Sequence, residues 1–212
     1  MTTLERAPHA PALTAFALPD PGGIQRALYR LPLLGYRIGL GGLLDQFKIA
    51  ALSTRGRISG KPRFAALEYR QHGSKIYVIS GWGERANWVR NLEQHAQVTL
   101  RRGDRVQAAR ATVVSDRNEV LRALTLFYRS NRAASERMFK RLSQRESMDA
   151  LTLPQIADRV LVVRIVPEAG APTLPAAPVD KQTTAALLAG GLLLALITGL
   201  IVLALGRSRR AA

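Results

Sequence analysis

The chain of 212 residues contains no cysteine, which excludes a disulfide framework, a thiol nucleophile and any thiolate metal site. Histidine is nearly as scarce. His9, His72 and His95 stand far apart with no ligand spacing, so nothing in the pattern indicates a zinc or haem site. Acidic residues are few, 15 against 31 lysines and arginines, for a formal net charge of +16. Arginine supplies nearly all of that excess, and such a surface favours anionic partners: phosphates, anionic lipid headgroups or nucleic acid. Also missing from the first residues, "MTTLERAPHAPALTAF", are the basic start and continuous apolar stretch of a secretory signal. The domain is therefore expected to stay in the cytoplasm.

One long hydrophobic run is present. Residues 182–206, "QTTAALLAGGLLLALITGLIVLALG", carry no charge over 25 positions. As a helix they reach about 37 Å, enough to cross a hydrocarbon core of about 30 Å. The expectation is a single-pass C-terminal transmembrane helix in the cell membrane, followed by a basic tail, 207–212, with Arg207, Arg209 and Arg210. Flanking charge on the two sides is almost balanced, so the cytoplasmic placement of the domain rests on the missing export signal. Residues 168–181 are rich in proline and alanine and lack periodicity, as an extended spacer between domain and anchor would. Near the other end, "ALYRLPLLGYRIGLGGLLDQF", within an N-terminal amphipathic or helical segment 1–47, is too often interrupted by arginine to span a bilayer. It suits either a membrane interface or a cover for the core.

Between these flanks, residues 48–167 read as one domain. "FKIAALSTR", "PRFAALEYRQ" and "KIYVISG" are strand-like, the last two separated by an "HGSK" turn. "QVTLRR" and "RVQAARATVV" flank Gly103-Asp104 in a hairpin pattern, and "RVLVVRIVPE" supplies a late strand. "GERANWVRNLEQH" reads as a short helix with Trp88, Leu92 and His95 on one face. Ser115-Asp116 can cap a second helix bearing Val120, Leu121, Leu124, Phe127 and Tyr128, with more helix through "SERMFKRL". About six short strands with flanking helices predict an α+β protein built on a small, mostly antiparallel split β-barrel, plus the transmembrane helix.

The chemistry concentrates in two stretches. In "STRGRISGKPRF", Arg55, Arg57, Lys61 and Arg63 supply charge, Gly56 and Gly60 let the backbone come close, and Ser59 can donate a hydrogen bond. Such a loop suits a phosphate or polycarboxylate. Neither the dinucleotide fingerprint nor the ATP phosphate loop is present. In "ISGWGERANWVRNL", Ser80, Gly81, Trp82 and Gly83 end a strand and lead into a helix whose first turn can face an anion. Trp82 and Trp88 can cover a planar ring; the competing reading is that both indoles are core.

These stretches, "LSTRGRISGKPRFAALEY", "KIYVISGWGERANWVRNLEQHAQVTLRRGDRVQAARATVV" and "VLVVRIVPE", resemble the deazaflavin-dependent nitroreductase family, also described as quinone reductases. The similarity spans roughly Leu28 to Pro167. The resemblance implies a barrel that binds reduced coenzyme F-420, a deazaflavin whose hydride goes to a quinone, nitro compound or similar acceptor. By the same resemblance Arg57, Ser59 and Arg63 engage the phosphate and acidic tail, with Gly60 and Lys61 in the same loop. Ser80, Gly81, Trp82 and Gly83 line the ring, Trp88 and Asn91 complete the pocket, and Tyr128 is the candidate acceptor contact or proton donor. The family often has a lysine where this chain has Ile58, and Lys61 is the substitute at hand.

Hydride transfer asks mainly for positioning, so the lack of a catalytic triad is no objection. Other readings stand beside it: an FMN-binding flavoprotein on the same barrel, a basic module that grips nucleic acid or another anion, and a membrane protein that kept the barrel without chemistry. The enzyme reading expects no nucleic acid, a small-molecule acceptor, contact with membrane lipid, and a homodimer as in related small-sheet folds.

Overall fold

The computed structural model describes residues 23–130 and 153–180. Six strands, β1 Ile49–Arg55, β2 Pro62–His72, β3 Lys75–Ser80, β4 Gln97–Arg102, β5 Arg105–Val113 and β6 Leu161–Pro167, fall where the sequence places them. They form a closed barrel in the order β1-β2-β3-β6-β5-β4, with β4 returning to β1 and every neighbouring pair antiparallel. Closure leaves no open edge to recruit another strand. The two tight hairpins depend on glycine: Gly73 (φ 58°) and Gly103 (φ 54°) each take the first central turn position. That left-handed geometry matches the twist of the flanking strands and is costly for residues with a Cβ.

Alternation along the strands sorts side chains into three packed groups. Ala50, Leu52, Ile76, Val78, Val98, Leu100, Val163 and Ile165 fill the barrel, with Leu92 closing one end. Outside it, α4 (Arg117–Ser130) and α5 (Leu153–Ala157) lay Val120, Leu124, Phe127, Leu153 and Ile156 against Tyr77 and Val162. The expected cap at the start of α4 is present, Asp116 Oδ1 accepting from the Asn118 amide at 3.0 Å. On the opposite side, α1 (Gly23–Arg37) and α2 (Gly41–Gln46) cover the outer face of β1. Tyr36 is fully buried there and its hydroxyl donates to the Ile49 carbonyl at 2.8 Å. A Cβ on Gly41 would lie 2.9 Å from the Gly103 carbonyl oxygen, so α2 can approach the β4–β5 turn only with glycine at that point. One face of the N-terminal stretch thus covers the barrel.

Residues 168–180 are irregular, as their composition demands, but they do not stand away from the domain as a spacer would. Leu174 and Ala177 are buried. Their carbonyls accept hydrogen bonds from Thr99 Oγ1 at 2.7 Å and Arg101 Nη1 at 2.8 Å. The Asp180 amide donates to the Arg37 carbonyl at 2.7 Å, tying the end of this strap to the end of α1. The expected transmembrane helix 182–206, the basic tail 207–212 and the helix through "SERMFKRL" lie outside the described residues. Among the described residues no helix is long and apolar enough to cross a membrane.

Beneath α4 sits one buried carboxylate, Glu119, 6% exposed. It accepts from the Tyr77 hydroxyl (2.8 Å), Arg164 Nη1 (2.8 Å) and Lys75 Nζ (3.3 Å). Burial pushes its pKa up, but the hydrogen bonds from Tyr77, Arg164 and Lys75 outweigh that and hold the carboxyl below its ordinary value. Burial, then the bond to Glu119, pushes the Tyr77 phenol up to about 12.

Candidate functional site

The end of the barrel closed by α3 (Asn87–Gln94) opens sideways into a cleft of about 1180 Å³. Three segments wall it: the β1–β2 loop, the run from Trp82 to Asn91, and the α1 side with Arg30 and Leu33. The β1–β2 loop holds its shape through its own backbone. The Gly56 amide donates to the Lys61 carbonyl at 2.9 Å, and the Gly60 amide to the Gly56 carbonyl at 2.7 Å. Gly60 takes φ 65°, and a Cβ on Gly56 would sit 3.0 Å from the Lys61 oxygen and 3.1 Å from Ser59 Oγ. Glycine at both positions is what lets six residues turn this tightly.

Of the residues singled out by sequence, Arg57, Ser59, Arg63, Trp82, Trp88 and Asn91 line the cleft together. Gly60 and Lys61 belong to the loop without lining it. Ser80, Gly81 and Gly83 lie in the turn behind Trp82. Ser80 is buried and its hydroxyl donates to the Gly83 carbonyl at 2.8 Å, so it braces that turn. Gly83 takes φ 53°.

Asn91 also works as a brace. Buried at 3% exposure, it donates through Nδ2 to Thr54 Oγ1 at 2.9 Å and accepts the Arg57 amide on Oδ1 at 3.1 Å. It therefore joins α3 to the end of β1 and fixes the backbone from which Arg57 projects. One turn earlier, Asn87 Oδ1 accepts from Arg57 Nη1 at 3.1 Å. Trp88 is half-buried, packed against the barrel core on one side and lining the cleft on another. His95, expected on the same helical face, is exposed at the helix end because the backbone turns extended there (φ −140°). Tyr128 is not among the cleft residues: it packs on α4 beside the cluster of Phe127 and Leu124.

Sequence reasoning missed Arg30, Arg85, Arg90 and Asn87. Arg85 and Arg90 were inside the quoted tryptophan stretch, and their charge beside Trp82 and Trp88 was the available signal. Arg30 had none, because its place in the wall depends on how α1 packs. Among the described residues, five arginines line the cleft and no aspartate or glutamate does. Two half-buried indoles add apolar, flat surface. That donor set fits a ligand with a planar aromatic part and several negative charges.

A closed antiparallel barrel with a cationic, indole-lined cleft at one end defines a protein suited to seating a flat, multiply anionic ligand. Residues 34–139 match the family model described as F420H(2)-dependent quinone reductase, and the protein belongs to that family. It is accordingly an oxidoreductase, a reductase dependent on the deazaflavin coenzyme F-420. No curated protein matches the chain. Among solved structures it is similar to an F420-H2 dependent reductase, FDR-A, at 18% identity over 56% of this chain and 93% of that one, TM-score 0.41. It is also similar to HutZ, a heme storage protein of Vibrio cholerae, at 19% identity over 60% and 87%, TM-score 0.43. A conserved hypothetical protein of Mycobacterium tuberculosis is 16% identical over 61% and 78%, TM-score 0.40.

Proposed function

We propose that the cleft binds reduced F-420 and that the enzyme reduces a quinone, or a comparably activated nitro compound, at a membrane surface. The observation that carries this reading is the joint presence of five arginines and two tryptophans around one opening where, among the described residues, no carboxylate stands. Arg57 and Arg63 hold the phosphate and acidic tail, with Arg85 and Arg90 extending the same positive wall. Ser59 adds a hydroxyl at its edge. Trp82 and Trp88 seat the flat ring, and the Ser80–Gly83 turn keeps Trp82 in place. When bound, the coenzyme supplies the hydride. The chain's part is to fix the ring and to leave the acceptor room along the α1 wall, where Arg30 can stabilise negative charge on an acceptor oxygen. Asn91 and Asn87 keep Arg57 oriented without neutralising it. Residues 182–206 anchor the enzyme in the cell membrane with the domain on the cytoplasmic side, so that lipid-soluble quinones are within reach.

Parallel titration of the purified protein with F-420 and FMN, followed by anaerobic reduction of a soluble quinone, tests the proposal. Saturable F-420 binding with quinone-dependent oxidation is expected. A preparation that takes up FMN in preference, or neither compound, overturns it.

A further inference from the structure

Eight large hydrophobic side chains are exposed among the described residues, and five of them crowd into one short stretch: Leu31 (54%), Leu34 (51%), Leu40 (45%), Leu43 (48%) and Phe47 (66%). Scattered exposed leucines need no explanation, but five apolar side chains gathered on α1, on α2 and at the two ends of α2 do. These helices spend their other faces on the barrel, through Tyr36, Leu33 and Leu44. The charge around the set is one-sided. From residue 23 to residue 48 the bases are Arg26, Arg30, Arg37 and Lys48, and the sole acid is Asp45, whose Oδ1 accepts the Tyr69 hydroxyl at 2.6 Å.

The strap adds a second, independent observation. Its bonds to Thr99 and Arg101, and the Asp180 amide to the Arg37 carbonyl, deliver residue 180 to the C-terminal end of α1. Two residues later the 25-residue uncharged run begins. The chain therefore leaves the domain beside the apolar face.

We propose that the α1–α2 face docks on the interfacial region of a bilayer containing anionic lipid, inserting Leu31, Leu34, Leu40, Leu43 and Phe47 with Arg30, Arg37 and Lys48 at the rim. This deepens the membrane reading given above and rests on it for the source of the acceptor. Apolar side chains flanked by bases suit the boundary between acyl chains and anionic headgroups, where burial and electrostatic attraction act together. Arg30 and Leu33 also line the cleft, so docking by this face brings the α1 wall of the site to the bilayer surface. An acceptor dissolved in lipid then enters along that wall.

The absence of cysteine permits a clean test on the full chain. Leu43→Cys and Phe47→Cys, and as a control Asn118→Cys on α4, are each labelled with an environment-sensitive fluorophore. The labelled proteins are reconstituted in vesicles of phosphatidylcholine and phosphatidylglycerol, with and without a doxyl-lipid quencher. Quenching at positions 43 and 47 is expected to exceed that at 118 by about threefold or more, and to weaken when the anionic lipid is omitted. Equal quenching at all three positions overturns the proposal. So does a blue shift at 43 and 47 that the doxyl lipid does not quench, which identifies a second copy of the chain as the occupant. Alkaline carbonate extraction of the same vesicles reports the anchor separately. Extraction of the protein would refute residues 182–206 as an anchor while the quenching still decides the fate of the docking face.

Discussion

Beneath α4, Lys75 and Arg164 converge on the buried carboxylate of Glu119, whereas across the barrel Arg57 and Arg63 share a cleft with three further arginines and, among the described residues, no carboxylate. In the first region the protein supplies the counter-charge, and the cations serve the fold. In the second, Arg57 is positioned by two amides, Asn91 and Asn87. Among the described residues neither Arg57 nor Arg63 makes an ion pair. Fixing a cation with neutral partners keeps its full charge available to a ligand; fixing it with a carboxylate consumes that charge. Arg101 shows a third arrangement. It is buried, met by the carbonyls of Gly103 and Ala177 and stacked 5.4 Å from the centre of the Tyr36 ring, and it holds the strap.

The contrast breaks most visibly if both cleft arginines are removed. Replacing Arg57 and Arg63 together by alanine deletes two charged contacts worth about 1.5–3 kcal/mol each, so F-420 affinity should fall by about 100-fold or more. Thermal stability should barely change. A fluorescence titration with unchanged Kd would remove the tail from this wall, and a large fall in Tm would show the two arginines to be structural like those beneath α4.

Glu119→Gln is the mirror experiment. It leaves Lys75 and Arg164 facing a neutral amide and should cost about 2–3 kcal/mol of stability, toward the low end for a buried pair because both cations are partly in solvent. Coenzyme affinity should be unaffected. The pH dependence follows from the depressed carboxyl of Glu119. Its contribution is complete above the unfolded value of about 4.3 and is lost as pH falls through the lower folded value. Urea unfolding between pH 3 and 7 should therefore show wild-type stability dropping on the acid side, with a flatter curve for Glu119→Gln. Parallel curves would mean that other carboxylates dominate acid unfolding.

The same contrast explains what could be read from the sequence. Strands were legible because short apolar runs with β-branched and aromatic residues, and glycine turns such as Gly73-Ser74 and Gly103-Asp104, are local signals. The cleft was legible where residue types are unusual together: arginine with glycine in one loop, tryptophan with glycine in the next segment. What could not be read was the division of labour inside the site. Asn91 and Ser80 look like ligand contacts in a linear motif, yet each has its hydrogen-bonding groups taken up by the protein, a fact of three-dimensional pairing. Residues 168–180 have a spacer's composition, and only backbone carbonyls at Leu174 and Ala177, which carry no sequence signature, reveal the strap.

Asn91→Ala sharpens the distinction between bracing and binding. It removes the partners of Thr54 Oγ1 and of the Arg57 amide, so about 1–2 kcal/mol of stability should go. F-420 affinity should weaken only severalfold, because the guanidinium remains while its backbone loosens. A loss of affinity as large as that of the double arginine variant, with stability intact, would make Asn91 a direct contact.

The smallest effect belongs to Tyr128→Phe. The hydroxyl sits on a half-buried ring of α4, a helix that packs over β3 and β6, while the cleft opens at the β1–β2 loop and α3. Removing one oxygen there should leave kcat and KM for a soluble quinone within about twofold of wild type. A tenfold fall in kcat at unchanged F-420 affinity would mean that the reacting centre extends to the α4 side. The two faces of the barrel would then share the chemistry that their charges otherwise assign to one.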